Sequence, residues 1–266
     1  MKKLLVILVM VFSYSTNTQN ACGVKEQNGN LKKLNHKICK GCRSNDFILQ
    51  YNAGIWVYPA DNKIRYGENG YSERHGNEIT YSWQLINTEG MQNFATTFNI
   101  GYDFEQMQSD YKHIEHQHIY PSKVYGDPYL GVVKKIADVI KWFSFENDVD
   151  PVTMALSFVQ ALPYQSNMGS YQRYASETLV DGIGDCSDTS VLFAAILKIL
   201  GYECVFIEYP NHLIVGVRLN DGEASGTYFT YGGDKYYVCE TTGWGYKVGE
   251  DSEEEYSTGT IIPCKF

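Results

Sequence analysis

The sequence has no cluster of basic residues. It contains 22 Lys and Arg against 31 Asp and Glu, which gives a formal net charge of −9, and the positive residues never gather into a run. A nucleic-acid-binding surface needs clustered Lys and Arg to neutralise phosphates. We therefore expect no nucleic-acid partner, and the acidic balance by itself names no substrate.

The motifs of common cofactor and metal sites are also missing. There is no phosphate loop, no dinucleotide-binding glycine fingerprint and no Gly-x-Ser-x-Gly elbow. Cys39 and Cys42 form a CxxC pair, but no second pair follows. His116 and His118 lack the spacing of a tight zinc site. We therefore predict neither a cofactor nor a metal, and we interpret the CxxC pair as a disulfide.

The apolar run near the N-terminus is too short to cross a bilayer, which takes about 20 residues. Residues 4–12 follow two lysines and precede small and polar residues, the pattern of a secretory signal. We assign residues 1–21 to a signal peptide, cleaved after Ser15 or Ala21. The predicted protein is exported, and thus periplasmic, cell-surface or secreted. It would attach to a membrane only through a lipid on Cys22, although the Leu of a bacterial lipobox is missing.

The number of cysteines is odd. The seven cysteines fit an oxidising compartment and leave at least one thiol unpaired. If Cys186 stays free, the others can pair in many ways, and their spacing does not choose among them. Cys264, near the end of the sequence, could fasten the C-terminal segment to the domain.

Residues 22–100 are predicted to form an N-terminal extension that is partly β or irregular. An Asn-, Lys- and Gly-rich lead-in is followed by several aromatic and β-branched runs bounded by Gly, Asn and Pro. These runs, which resemble strands, cover residues 55–58, 79–86, 94–98 and, beyond the extension, 114–120. The aromatic content favours sheets and aromatic-lined surfaces.

Residues 101–266 are predicted to form an α+β domain. Apolar residues recur every three or four positions in three predicted helices, with apolar stripes within 129–143, 151–163 and 191–200. Candidate capping residues at 185–188 precede the third stripe. Strand-like alternation follows at 204–209, 212–219, 228–231 and 236–240. The simplest arrangement packs the third helix on an antiparallel sheet.

Cys186 has the sequence environment of a reactive thiol. It lies in Gly-Ile-Gly-Asp-Cys-Ser-Asp at the start of the third predicted helix, with Asp185 and Asp188 as candidate caps. The dipole and unpaired N–H groups of a helix N-terminus stabilise a thiolate. The glycines would let a substrate carbonyl approach the sulfur and the Cys186 amide, as in an oxyanion hole. The alternative is a buried structural cysteine or a disulfide.

Two later residues supply the other groups that thiol chemistry needs. His212 begins a predicted strand, and its ordinary pKa of about 6.5 lets it take and return a proton near neutral pH. Glu240 ends another predicted strand, and if the two strands are antiparallel neighbours its carboxylate would fix the imidazole tautomer. Taken singly, His212 could be a surface residue and Glu240 a solvated charge. Asp234, in a glycine turn, is an alternative acid.

Residues 177–190 closely resemble the nucleophile segment of the transglutaminase-like superfamily. A Gly-Asp-Cys sequence that opens a helix, a strand that begins with His212 and a strand that ends in an acid occur here in the order of that family. Residues 157–164 are similar to the helix that precedes the nucleophile in bacterial and archaeal members. The resemblance runs from about residue 102 to about residue 244, and most members have Asp where this chain has Glu240.

The resemblance implies an exported thiol enzyme with a papain-like core and a triad of Cys186, His212 and Glu240. Such an enzyme attacks a peptide or carboxamide carbonyl through a thioester, which water hydrolyses or an amine converts into a cross-link. Its substrate would be a protein or a cell-wall peptide, and it needs no cofactor. Gln160 and Tyr164 are candidate oxyanion or substrate-binding residues. The alternative is a non-catalytic module of the same fold that binds a peptide or glycan, and the oligomeric state is not predicted.

Overall fold

The structure describes most of the chain from residue 56 to residue 264. The structure, a computed structural model, describes residues 56–57, 62–66, 69–87, 90–111, 120–165, 171–220, 222–251 and 259–264. The predicted signal peptide, Cys22, the CxxC pair, and His116 and His118 lie outside these ranges. No helix within these ranges is long and apolar enough to cross a membrane.

A first antiparallel sheet has its strands in chain order. Its strands are β1 (Trp56–Val57), β2 (Asn62–Tyr66), β3 (Gly70–His75), β4 (Glu78–Asn87) and β5 (Gly90–Asn99). In β4, Ile79, Tyr81, Trp83 and Leu85 are all buried, as period-two alternation requires for one inward face. The aromatic runs at 79–86 and 94–98 are therefore confirmed as strands.

A set of helices follows the first sheet. They are α1 (Phe104–Asp110), α2 (Tyr120–Tyr125), α3 (Leu130–Asn147), α4 (Pro151–Gln160), α5 (Ala175–Asp181) and α6 (Cys186–Leu200). The three helices predicted from apolar spacing are confirmed as α3, α4 and α6. Pro151 starts α4 behind an Asp150 cap, where its missing N–H costs nothing. Gly201 ends α6 with a φ of 90°, a left-handed conformation that glycine adopts without strain.

A second antiparallel sheet completes the described chain. Its strands are β6 (Cys204–Tyr209), β7 (His212–Arg218), β8 (Tyr228–Tyr231), β9 (Asp234–Cys239) and β10 (Thr260–Cys264). Their spatial order is β10, β6, β7, β9, β8. The four predicted strands are confirmed, whereas the sequence pattern does not predict β10. Because α6 packs on β6 and β7, the expected α+β arrangement of a helix on an antiparallel sheet is also confirmed.

One apolar core joins the first sheet to the helices. Trp83 of β4 packs edge-on against Phe143 of α3 and Phe158 of α4, with ring centroids 5.6 and 5.3 Å apart. Tyr81 meets Phe158 at 5.1 Å. Residues 188–197 of α6 are all buried, and residues 191–197 belong to the same core. The helix that begins with Cys186 is therefore fixed in the core over most of its length.

Phe158→Ala should lower the free energy of unfolding by about 3–5 kcal/mol, because it empties the space between Tyr81 and Trp83. Urea unfolding followed by fluorescence measures the loss. Phe145→Ala is the matched control, since that ring is 83% exposed and its removal should change stability by less than about 0.5 kcal/mol. If the two variants had equal free energies of unfolding, Phe158 could not be packed in a core shared by the first sheet and the helices.

Candidate active site

Cys186 is the first residue of α6, and a capping box fixes the backbone around it. A carboxylate oxygen of Asp185 accepts the N–H groups of Ser187 at 2.9 Å and Asp188 at 3.1 Å. The Asp188 carboxylate accepts the N–H of Asp185 at 3.2 Å. The predicted capping role of both aspartates is confirmed. The N–H of Cys186 donates to neither carboxylate, so a bound carbonyl oxygen can accept it.

The thiol of Cys186 is free and only partly buried. Main-chain bonds hold the preceding loop: the N–H of Gly184 donates to Pro163 at 3.2 Å, and that of Gln165 to Gly184 at 3.0 Å. A Cβ at Gly184 would lie 2.7 Å from the Cβ of Asp188, so this loop needs a glycine to pass the cap. The interpretation of Cys186 as a disulfide or a fully buried cysteine is therefore wrong.

The Asp188 carboxylate serves the cap from a buried position beside an arginine. Its side chain is 2% exposed, with Arg173 Nε 4.0 Å away, and Arg173 also pairs with Asp181 at 3.1 Å. Burial and the neighbouring charge of Asp185 raise the pKa of Asp188 to about 7, against the opposing effect of Arg173. These contacts give Asp188 a structural role at the start of α6.

His212 and Glu240 form a buried pair. Nε2 of His212 lies 2.7 Å from Oε2 of Glu240, and the two side chains are 16% and 1% exposed. The other oxygen of Glu240 accepts the N–H of Thr242 at 2.8 Å and its hydroxyl at 2.5 Å. Both carboxylate oxygens therefore have donors, and the alternative of a solvated strand-end charge is excluded for Glu240.

The sheet register explains why these two side chains meet. β7 and β9 are antiparallel neighbours, with Val215 opposite Cys239. His212 begins β7, and Glu240 directly follows the end of β9. The two residues therefore lie at the same edge of the sheet, as antiparallel pairing predicts.

Two hydroxyl groups of α6 fasten its first turn to this edge. Ser190 donates to the carbonyl of Leu213 at 3.0 Å, and the hydroxyls of Thr189 and Thr241 are 2.9 Å apart. Leu213 and Thr241 each directly follow a member of the ion pair, and Cys186 lies one helical turn before these hydroxyls. The sequence pattern does not predict these contacts, because hydroxyl side chains in a helix or at a strand end carry no periodic signal.

The surroundings of His212 favour its charged form. Burial lowers its pKa, but hydrogen bonds to Cys186 and Glu240, together with their negative charges, outweigh burial and raise the pKa to about 10. Because Nε2 faces Glu240, Nδ1 is the ring nitrogen left for the thiol. Burial raises the pKa of Glu240, but the hydrogen bond and charge of His212 more than offset it. The imidazolium is therefore the stable form of His212 near neutral pH.

Asp234, the alternative acid, lies at the opposite end of β9 from Glu240. Its carboxylate is 3.3 Å from a guanidinium nitrogen of Arg218, and both side chains are exposed. The structure therefore brings Glu240, and not Asp234, to His212. Among the described residues, no group of three or more His, Cys, Asp and Glu is arranged to hold a metal ion.

The side-chain amide of Gln160 is fully bonded to the backbone near Glu240. Its Nε2 donates to the carbonyls of Glu240 at 2.8 Å and Tyr246 at 3.0 Å, and its Oε1 accepts the N–H of Gly245 at 3.3 Å. Both amide hydrogens are used, so none is left for the oxyanion role expected from the sequence. Gln160 instead ties the backbone of Glu240 to the end of α4.

Tyr164 pairs with the loop that leads to Cys186. It forms an isolated parallel bridge with Gly184 and is partly buried. Burial, and then the negative charge of Cys186, raise the pKa of Tyr164. The phenol of Tyr164 therefore stays protonated. It lies close enough to Cys186 for the two groups to interact electrostatically.

The chain matches no protein-family model and no curated protein. Among solved structures it is similar to one described as a "Putative Cysteine Protease from Cytophaga hutchinsonii", with 13% sequence identity and a TM-score of 0.32. The match covers 66% of this chain and 67% of the other. A likeness this distant carries no argument about function.

The pair of His212 and Glu240 should make stability depend on pH. The pKa of His212 is raised from 6.5 to about 10, so its contribution is complete below pH 6.5 and is lost as the pH rises through about 10. The lowered pKa of Glu240 gives a contribution that is present above pH 4.5 and is lost as the pH falls. The stability difference between the wild type and His212→Asn should therefore shrink steadily above pH 6.5. Urea unfolding at several pH values measures it, and a constant difference up to pH 9 would contradict the shift.

Proposed function

We propose that this protein is an exported, transglutaminase-like cysteine enzyme with a papain-like core. Cys186 is its nucleophile, His212 its general base and acid, and Glu240 the residue that orients the histidine. It acts on peptide or carboxamide carbonyls in protein or cell-wall peptide substrates, through a thioester.

One observation carries the proposal. A free, partly exposed thiol at a helix N-terminus interacts with an imidazole whose other nitrogen is 2.7 Å from a buried carboxylate. A structural cysteine does not need a charged histidine beside it, and a buried carboxylate is costly unless it serves its partner. A nucleophile, a base and a group that orients the base are the three parts of activated-thiol catalysis.

The first half-reaction follows from this arrangement. The Cys186 thiolate attacks the carbonyl carbon, and the developing oxyanion accepts the N–H of Cys186 at the positive end of α6. His212 then gives its Nδ1 proton to the departing amine or ammonia. The products of this step are a thioester on Cys186 and a neutral imidazole still held by Glu240.

The second half-reaction returns the enzyme to its starting state. Neutral His212 removes a proton from water or from a primary amine, which attacks the thioester carbonyl and releases the Cys186 thiolate. Water gives hydrolysis and an amine gives a new amide. The protonated phenol of Tyr164 can donate a hydrogen bond to the substrate near this carbonyl.

Incubation with unfolded casein and a fluorescent primary amine tests the proposed function. The wild type should release new peptide termini, incorporate the amine, or do both, whereas Cys186→Ala should do neither. Mass spectrometry identifies the termini and the modified side chains, and so separates hydrolysis from transfer. If the wild type and Cys186→Ala give the same peptide termini and the same amine incorporation across the neutral pH range, the result would favour the alternative of a peptide- or glycan-binding module.

Gln160 should act as a positioning residue in this enzyme. Gln160→Leu leaves the carbonyls of Glu240 and Tyr246 without their donor, so turnover should fall about tenfold and stability by about 1–3 kcal/mol. The pKa of His212, followed by NMR, should fall as Glu240 shifts. Gln165→Leu is the control, because the side chain of Gln165 is exposed. The turnover of this variant should equal that of the wild type. Loss of stability with unchanged turnover and histidine pKa would reduce Gln160 to a structural role.

A further inference from the structure

Two cysteines outside the proposed active site face each other across neighbouring strands. Cys204 begins β6 and Cys264 ends β10, and the antiparallel register places them directly opposite one another. Both are 3% exposed and belong to the core shared with α6. The two thiols are in hydrogen-bond contact.

The backbone geometry of this pair suits a disulfide. Residues directly opposite in an antiparallel ladder have Cα atoms about 4.5–5.5 Å apart. Disulfides span Cα separations of about 4.4–6.8 Å. Cys239 cannot replace either partner, because β7 lies between β6 and β9 and puts Cys239 about 10 Å from β6. The fold therefore leaves Cys204 one bonding partner among the described cysteines of the second sheet.

The surroundings make the two thiols unequal. The Cys204 thiol donates to Cys264, and this bond, together with burial, raises the pKa of Cys204. The same bond lowers the pKa of Cys264 against burial, with help from the hydroxyl of Tyr125 at 3.6 Å and the charge of Lys198. A thiolate is the attacking species in disulfide exchange, so Cys264 is the thiol prepared to react first.

We infer that Cys204 and Cys264 form a disulfide that fastens the C-terminal strand β10 to the second sheet. The Cys264 thiolate attacks a disulfide oxidant, such as glutathione disulfide, to give a mixed disulfide and one released thiolate. Cys204 then loses its proton, attacks the Cys264 sulfur and releases the second thiolate. Two protons leave the protein, and two electrons pass to the oxidant. Because both thiols are buried, the exchange takes place during folding or when the edge strand β10 opens.

The bond would enclose the part of the chain that carries His212 and Glu240. β7, β8 and β9 all lie between the two cysteines, and β10 is an edge strand that pairs only with β6 among the described strands. Closing this long segment removes conformational freedom from the unfolded chain. The inference is independent of catalysis, since neither cysteine takes part in the proposed reaction.

Disulfide mapping tests the inference on the full chain carrying Cys186→Ala, which removes exchange by that exposed thiol. The protein is refolded with a mixture of reduced and oxidised glutathione, unfolded in N-ethylmaleimide and digested without reductant. Peptides that contain Cys204 and Cys264 should appear joined, with Cys239 alkylated. Complete alkylation of Cys204 and Cys264, or their bonding to other cysteines, would overturn the inference.

Thermal unfolding supplies an independent readout. The glutathione-refolded protein should melt about 5–15 °C higher than the same protein refolded in a phosphine reductant. Cys204→Ser with Cys264→Ser is the matched control, and its midpoint should be the same under both conditions. A midpoint for the parent protein that does not depend on the refolding conditions would contradict a bond that holds β10.

Discussion

Cys186→Ala should lower turnover by about 10⁴-fold or more, because no other group at the start of α6 can form the thioester. The folded structure should remain intact, since the thiol is partly exposed and the cap depends on the carboxylates of Asp185 and Asp188. Turnover is measured on any protein substrate that the wild type modifies, with the thermal midpoint recorded in parallel.

Cys264→Ala is the matched control for this loss. It removes a thiol from the edge strand β10, outside the proposed active site, so turnover at 25 °C should stay near that of the wild type. Retention of activity in Cys186→Ala would show that the thiol is not the nucleophile. Loss of activity in both variants through unfolding would appear as a collapse of the thermal transition.

Glu240→Gln should lower turnover by about 10²- to 10⁴-fold. The carboxylate uses one oxygen for His212 and the other for the N–H and hydroxyl of Thr242. An amide has only one oxygen, so either the Thr242 N–H loses its acceptor or the imidazole faces an N–H₂ group. The second outcome favours the tautomer with a proton on Nδ1, which cannot accept the thiol proton.

The same substitution should also lower the pKa of His212, because a negative charge that raises it is gone. ¹⁵N NMR of the imidazole measures this shift separately from turnover. Asp234→Asn is the control, since that carboxylate lies at the other end of β9 beside Arg218 and should leave both quantities unchanged. An unchanged histidine pKa in Glu240→Gln would contradict the pairing.

The elements that carry the site could be predicted because each has a local signal. The apolar stripe of α6 ends at a glycine and begins after capping aspartates, so the position of Cys186 at the helix start followed from the sequence. β7 and β9 alternate with period two and are bounded by turn residues. The sequence does not predict that β7 and β9 are neighbours, since hydrogen bonds between strands that are not consecutive leave no local pattern.

Other elements have no such signal. α5 is seven residues long and buried on nearly every side, so it shows no amphipathic period. β10 contains Pro263 and takes its place by pairing with β6, far away in the sequence. The packing of Trp83 against Phe158 depends on tertiary structure in the same way.

The contacts of a single side chain, such as that of Gln160, are harder to predict from the sequence than helices and strands. The sequence places it near the end of a helix close to the nucleophile, which suggested an oxyanion donor. Its actual bonds go to the carbonyls of Glu240 and Tyr246, which lie 80 and 86 residues later in the chain and reach α4 only through the tertiary fold. The direction of a side chain at a helix end depends on which loop covers it, and the sequence does not contain that information.

The most direct test measures the rate at which iodoacetamide alkylates Cys186, in the wild type and in His212→Ala, at about pH 6. If the imidazolium holds the sulfur as a thiolate, the wild type should react about tenfold faster or more, with the label found on Cys186 by mass spectrometry. The buried thiol of Cys239 serves as a slow internal reference. Equal alkylation rates in the two proteins would contradict the proposed thiolate and imidazolium pair.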